Sequence, residues 1–405
     1  MGRQPRSRLV VGQSGGPTAV INASLVGVIR AAQAAPGVDW IWGARNGVQG
    51  ALTGDFLDLT ELDDATLAML ARTPSAALGS CRFKVSPDDV QTLVTLFARH
   101  DVRYFVYIGG NDSADTAHRL ALAAADRGYV LTVICVPKTI DNDLAGMDHC
   151  PGYGSAARFL SQATADAGRD TEAMRLWDPI KIIEVMGRNA GWLAAATALA
   201  AEGDPSLAPH LIYLPERPLI ADRFLSDVER VYRDLGHAVI VVAETVRDEA
   251  GDPIGQARAA ADAFGHPQLA GAAATLSALI VDKLGLKTRF DKPGTIQRMS
   301  IACASTVDLA EAEAAGGEAV RLALAGQSGV MVALNRVPGP NYQLSLGAVP
   351  LQEVANAQRT MPANFINDHG NGVTPAFRDY ARPLLGGPLL PYARLSGGFS
   401  LWDAT

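Results

Sequence analysis

Short apolar runs alternate with longer amphipathic stretches along almost the whole chain. The apolar runs cover residues 8–11, 38–42, 102–108, 131–136, 180–185, 211–214, 238–243, 287–290 and 330–335, and they read as strands. Between them, helical spacing predicts helices over 19–32, 64–71, 87–100, 112–126, from Ser155 onward, and over 189–201, 222–235, 268–284 and 309–325. Nearly continuous apolar strands alternating with amphipathic helices predict an α/β fold whose mainly parallel sheets are covered on both faces. At 405 residues the chain is too long for one average core, so two domains are expected. Ligands of such sheets bind beyond the carboxyl ends of the strands. The loops that follow the strands are therefore where chemistry is sought.

Four of those loops carry polar clusters. The first, Gly12-Gln13-Ser14-Gly15-Gly16-Pro17-Thr18, is a glycine-rich turn opening a helix, where exposed backbone amides and a helix N-terminus suit an anion. Such a turn also occurs for backbone reasons alone. No Walker A pattern and no G-x-G-x-x-G accompanies it. The second, Gly109-Gly110-Asn111-Asp112-Ser113, again joins strand to helix; helix capping explains one polar residue there but not two glycines with a paired Asn-Asp. The third, Pro137-Lys138-Thr139-Ile140-Asp141-Asn142-Asp143, sets two carboxylates two residues apart beside a lysine. On an extended segment Asp141 and Asp143 would point the same way, a pair suited to a general base or a Mg²⁺ site; a solvated turn is the alternative. The fourth is Met186-Gly187-Arg188-Asn189-Ala190-Gly191, whose arginine could clamp a phosphate or make a surface ion pair. Further positive charge comes from Arg82, Arg289 and Arg298.

Composition narrows the classes. The net charge of −7 argues against nucleic acid or an anionic membrane as the main partner, so a phosphate-handling role requires local concentration of cations. Cys81, Cys135, Cys150 and Cys303 are far apart without C-x-x-C spacing, which favours buried free thiols over a zinc site. The apolar run after the basic N-terminus is too short for a signal peptide, and the stretch 189–201 is too short to span a bilayer; a cytoplasmic protein is expected.

Taken in order, these segments resemble the phosphofructokinase family from Val10 to about Arg336, and the stretch 380–395 is similar to the tail of its pyrophosphate-dependent members. The resemblance implies two Rossmann-like three-layer α/β domains with the active site in the cleft between them. Residues 1–152 with 297–375 would form the donor domain, 153–296 the sugar-phosphate domain, and 376–405 a tail packed on the core. It implies phosphoryl transfer from pyrophosphate to the 1-hydroxyl of fructose 6-phosphate, giving fructose 1,6-bisphosphate and phosphate, with Mg²⁺ as cofactor. Asp141 would be the general base, with Thr139 and Lys138 beside it. Met186, Gly187, Arg188, Glu244, Arg289 and Arg298 would bind the sugar phosphate together with Thr139 and Asp141. Gly15, Gly16, Arg82, Gly110, Asn111, Asp112, Ser113 and Lys138 would bind the donor, and Asp112 and Asp143 the metal.

Donor choice follows from two positions. ATP-using members of the family have Gly where Asp112 and Lys138 stand; a carboxylate at 112 obstructs and repels a nucleotide, and Lys138 can stabilise the leaving phosphate. An ATP-dependent kinase and a non-catalytic sugar-phosphate-binding regulator are the alternatives. The chain departs from the family pattern at Asn111, which replaces a metal-associated Asp, and at Thr295, which replaces an aromatic or His contact. Pro179 replaces an arginine that reaches a neighbouring subunit, for which Lys181 or Arg175 could substitute. Val26 and Thr171 replace arginines of the nucleotide effector site, so no allosteric control by nucleotides is expected. A homodimer or homotetramer is expected.

Overall fold

The structure, a computed structural model, describes residues 7–255, 271–355 and 357–395. Its strands run in chain order as β1 (Arg8–Gln13), β2 (Trp40–Ala44), β3 (Phe56–Asp58), β4 (Val102–Gly109), β5 (Thr132–Pro137), β6 (Ile180–Val185), β7 (Leu211–Tyr213), β8 (Ala238–Ala243), β9 (Thr288–Asp291), β10 (Val330–Arg336) and β11 (Leu344–Pro350). Two sheets result. The first has the order β11-β10-β5-β4-β1-β2-β3, with β3 and β11 antiparallel at its two edges and the other pairings parallel. The second, β7-β8-β6-β9, is parallel throughout.

Both faces of each sheet are covered, as the apolar runs require. Along β1, Val10 faces a core shared with the helices Pro87–Arg99 and Asn111–Asp126, while Leu9 and Val11 face one shared with Ile21–Gln33 and Thr306–Leu324. In the second sheet, Ile183 and Val185 turn one way and Ile180 and Ile182 the other. Each such fully buried aliphatic side chain contributes roughly 1.5–3 kcal/mol relative to its exposed state. Helix Ile21–Gln33 meets Thr306–Leu324 backbone to backbone. A Cβ on Gly27 would stand 1.9 Å from the Glu313 carbonyl oxygen, and one on Gly316 2.0 Å from that of Ser24.

Local signals explain where several helices begin. Ser86 and Asp89 form a reciprocal capping box with Pro87 at the first helical position. Ser305 accepts from the Asp308 amide at the start of Thr306–Leu324.

Three features depart from the sequence expectation. The edge strands β3 and β11 went unpredicted, because one has three residues and the other is half exposed rather than continuously apolar. The helix expected over 189–201 begins only at Trp192, because Arg188 takes a left-handed turn (φ 48°) before it. The third concerns the C-terminal region. Met361, Ile366 and Val373, expected with the donor domain, pack instead into the second sheet's core beside Phe377, Leu384 and Leu385. The Ile212 amide donates to the Asn371 carbonyl at 2.9 Å, and Asn371 Nδ2 donates to Asp227 at 2.7 Å, which fixes that segment to β7 and to the helix Ala221–Leu235. The start of the helix expected over 268–284 falls partly outside the described residues; its described part is Ala272–Leu284, and residues 396–405 of the expected tail also lie outside. No helix among the described residues is long and apolar enough to cross a membrane.

Candidate active site

The carboxyl ends of β1, β4 and β5 present their loops to one cleft. After β1, the Ser14 amide donates to the Ile108 carbonyl (2.9 Å) and the Gly15 amide to that of Cys81 (3.1 Å), which stitches the loop to two neighbours. Side chains are excluded from this loop for a reason. A Cβ on Gly15, whose φ is +77°, would lie 3.0 Å from Lys138 Nζ, and one on Gly16 would lie 2.7 Å from an Arg298 guanidinium nitrogen. Two cations therefore rest directly against the glycine loop. Lys138 Nζ donates to the Gly16 carbonyl at 2.9 Å and is 4% exposed. Arg298 Nε is buried without a hydrogen-bond partner.

After β4, Gly110 precedes the helix Asn111–Asp126, and the Ser113 and Ala114 amides both donate to the Gly110 carbonyl. Asp112 is exposed on the first turn, whereas Asn111 Oδ1 is buried and without a partner. Ser113 packs against Gly109.

After β5 the chain does not run extended, as the expectation that both carboxylates point alike assumed. Asn142 adopts a left-handed conformation (φ 57°), its Oδ1 accepting from the Cys150 amide (3.0 Å) and its Nδ2 donating to the Tyr380 hydroxyl (3.0 Å). The turn separates the two carboxylates by role. Asp141 keeps 14% of its side chain exposed and faces Arg188, whose Nε stands 3.6 Å away. Asp143, 4% exposed, accepts from Thr139 Oγ1 (3.4 Å) and Gln358 Nε2 (3.4 Å) in the cleft wall. The Asp141 amide donates to Thr139 Oγ1 at 3.1 Å.

Electrostatics follow from this burial. Desolvation, reinforced by the Asp143 charge and opposed by Arg188, raises the Asp141 carboxyl to about 7. Desolvation likewise lowers the Lys138 ammonium to about 8; Asp141 opposes that shift, while Arg298, Arg188 and Arg82 add to it. A raised carboxyl and a lowered ammonium thus share one wall.

The facing wall comes from β6 and β8. The Met186 amide donates to Gln297 Oε1 (3.1 Å), and the Arg188 amide donates to Glu244 Oε1 (3.2 Å). The Thr245 hydroxyl also donates to the Arg188 carbonyl, so the left-handed turn that presents the guanidinium is held from both sides. Burial raises the Glu244 carboxyl, with the Arg188 and Gly187 amides opposing.

One predicted member lies elsewhere. Arg289 pairs in register with Lys181, near the amino end of β6, whereas Met186 follows that strand's carboxyl end. Five residues of strand put Arg289 roughly 15 Å from its own chain's cleft. There its Nε contacts Asp178 at 2.7 Å, a carboxylate shared with Lys287 at 2.7 Å. Lys181, weighed as a substitute cation, is engaged by Asp291 at 2.8 Å.

No group of three or more His, Cys, Asp or Glu able to hold a metal occurs among the described residues. Asp112, Asp143 and the unpartnered Asn111 oxygen are hard ligands. They suit a divalent cation that draws the rest of its shell from ligand phosphates, as Mg²⁺ commonly does.

Sequence reasoning missed Gln358, Arg359, Tyr380 and Gln297. The first three come from the chain's last fifty residues and carry no motif; Gln297 was adjacent to a chosen residue, Arg298.

Two α/β sheets whose strand ends enclose a cleft lined with cations and glycine loops, with a carboxylate at its centre, define a protein built to handle phosphorylated small molecules. The chain belongs to the phosphofructokinase family, whose sequence profile (Phosphofructokinase) matches residues 8–323. It is 42% identical over 385 residues to the pyrophosphate–fructose 6-phosphate 1-phosphotransferase of Xanthomonas campestris, covering 94% of this chain and 91% of that protein. It is 41% identical over 390 residues to the protein of that name from Halomonas elongata, covering 94% and 92%. The crystal structure of the pyrophosphate-dependent phosphofructokinase of Marinobacter aquaeolei superposes with a TM-score of 0.86 at 37% identity, over 96% of this chain and 94% of that one.

Proposed function

We propose that this chain transfers a phosphoryl group from pyrophosphate to the 1-hydroxyl of fructose 6-phosphate. The sugar oxygen attacks the nearer phosphorus and the bridging P–O bond breaks. Inorganic phosphate leaves, and the hydroxyl proton passes to Asp141. The observation that carries this reading is the position of Asp141, close to Lys138 on its own wall and facing Arg188 across the cleft, with its carboxyl raised to about 7. A base whose pKa lies near working pH is both available and strong enough to take the proton as attack proceeds.

The two walls divide the labour. Lys138 and Arg82 meet the charge of the donor and of the departing phosphate, joined by Arg298, which was expected on the sugar phosphate but rests against Gly16; positioning and charge cancellation supply most of the catalysis there. Gly15 and Gly16 leave the space in which that charge sits. Arg188, Met186 and Glu244 hold the sugar phosphate. Asp112, Asp143 and Asn111 would hold Mg²⁺, which supplies neutralisation of phosphate oxygens when bound. Residues 8–152 together with Arg298 serve the donor, and the loops that follow β6 and β8 serve the sugar.

Arg289 stands outside its own cleft, on a face where Leu176 is 86% and Trp177 72% exposed and Phe290 also emerges. This supports an assembly in which a second copy covers that face, readable by sedimentation as a homodimer or larger species.

Donor identity is tested by initial rates with fructose 6-phosphate and Mg²⁺, adding pyrophosphate or ATP. Pyrophosphate is expected to exceed ATP in kcat/KM by at least about a hundredfold, the effect of about two or three kcal/mol of differential interaction. Equal or better turnover with ATP would overturn the donor assignment, and no turnover with either would leave a sugar-phosphate-binding protein.

A further inference from the structure

Besides Thr139 and the Cys150 amide, the side chains that hold the Asp141–Asp143 turn in shape lie beyond residue 323, where the match to the family profile ends. Arg359 dominates that support. Its Nε and Nη2 donate to the Asn142 carbonyl at 3.2 and 2.9 Å, and its Nη1 donates to the Met147 carbonyl at 2.8 Å and to that of Asp148. Its own amide donates to the Asp143 carbonyl at 2.7 Å. One residue thus binds four carbonyls of the segment that carries both carboxylates.

The guanidinium is in turn fixed in place. Its central carbon lies 4.4 Å from the ring centre of Trp192, a side chain 1% exposed. Trp192 opens the helix that follows the Arg188 turn and packs in the second sheet's core. Arg359 therefore joins the turn after β5 to the element that presents Arg188. The neighbouring Gln358 repeats the connection in the cleft itself: its Nε2 donates to Asp143 Oδ2 and its Oε1 accepts from Asn189 Nδ2 at 3.5 Å.

The physical consequence is specific. Asn142 is held at φ 57°, a conformation that costs a non-glycine residue of order 1 kcal/mol and persists only where its surroundings fix it. Arg359 satisfies the carbonyl that this conformation turns inward, with a planar donor set that lysine cannot reproduce. We propose that Arg359 is a positioning residue for phosphoryl transfer, setting the Asp141 turn against the Arg188 turn from the C-terminal part of the chain. The inference rests on the reading of Asp141 as the base.

The test compares Arg359→Ala and Arg359→Lys with the parent protein in the pyrophosphate-driven assay. Misplacement of a reacting group by about 1 Å costs roughly a hundredfold in rate, so Arg359→Ala is expected to lose about that much kcat. Its KM for each substrate should stay within about threefold, the mark of an interaction that matters in the transition state. Arg359→Lys keeps the charge over Trp192 but loses the paired donors, so its kcat falls between the other two. Millimolar guanidinium should restore about tenfold to Arg359→Ala and nothing to the parent, because it re-supplies the missing donors. A kcat within about threefold of the parent, or a loss confined to KM, would overturn the proposal. Where Arg359→Ala does not fold, the kcat of Arg359→Lys decides by the same criterion. A crystal structure of Arg359→Lys supplies a readout independent of turnover: Asn142 leaving the left-handed region supports the inference, and an unmoved turn contradicts it. A parent protein without pyrophosphate-driven turnover would sink the proposed function, while this structural readout would still judge the clamp.

Discussion

The two walls of the cleft solve opposite electrostatic problems. On the donor wall, Lys138 and Arg298 press against Gly15 and Gly16, and burial together with neighbouring cations lowers both their pKa values. Such a site is costly when empty and favourable when a highly charged anion fills it. On the sugar wall, Arg188 is half exposed, its side chain faces Asp141, and its amide is tied to Glu244. That wall is largely compensated before any ligand arrives. Under the proposed function, binding free energy is converted into rate mainly on the donor wall, where a bound phosphate relieves like-charge proximity that Asp141 offsets only in part, while the sugar wall mainly orients.

The comparison breaks most completely at Asp141, which both walls address. Asp141→Asn removes the proton acceptor while keeping its size, and general-base loss of this kind costs about 10²–10⁴-fold in kcat. Fructose 6-phosphate binding, read by calorimetry, should change little. Retention of a tenth or more of kcat would remove Asp141 from the base role.

A smaller effect sharpens the donor wall. Asp112→Gly combined with Lys138→Gly opens the mouth of the loop and removes the buried ammonium. The ratio of kcat/KM for pyrophosphate over ATP should then fall by about a hundredfold, the loss expected for one charge-assisted contact to the leaving group. An unchanged ratio would separate donor choice from these two positions.

The pH profile of kcat/KM reads both walls at once. The raised Asp141 carboxyl means the base is lost as pH falls through about 7; the lowered Lys138 ammonium means the cation is lost as pH rises through about 8. A narrow bell follows, falling about tenfold per unit on each side. A flat profile from pH 6 to pH 9 would contradict the assigned roles.

How legible the site was in the sequence depended on how each residue is positioned. Residues fixed by strand-turn-helix units of a few residues were readable: Gly15, Gly16, Lys138, Asp141 and Arg188 each follow a strand whose apolar run marks where its loop begins. Arg298 and Arg289 show the limit. They lie nine residues apart and suggested one role, yet parallel register sends Arg289 to the amino end of the sheet while Arg298 turns back against Gly16. Register is a tertiary property that local pattern does not encode. Arg359 and Tyr380 reach the site from more than two hundred residues away, through carbonyl contacts that demand no motif. The left-handed Asn142 is likewise invisible locally, because an Asp-x-Asp spacing is equally compatible with an extended segment.

The central claim is the reaction itself, and ³¹P NMR follows every phosphorus atom in it. The protein, mixed with pyrophosphate, fructose 6-phosphate and Mg²⁺, should consume pyrophosphate while one sugar 1-phosphate resonance and one inorganic phosphate appear in equal amounts. Pyrophosphate left intact, or converted to two inorganic phosphates with no new sugar phosphate, would contradict it.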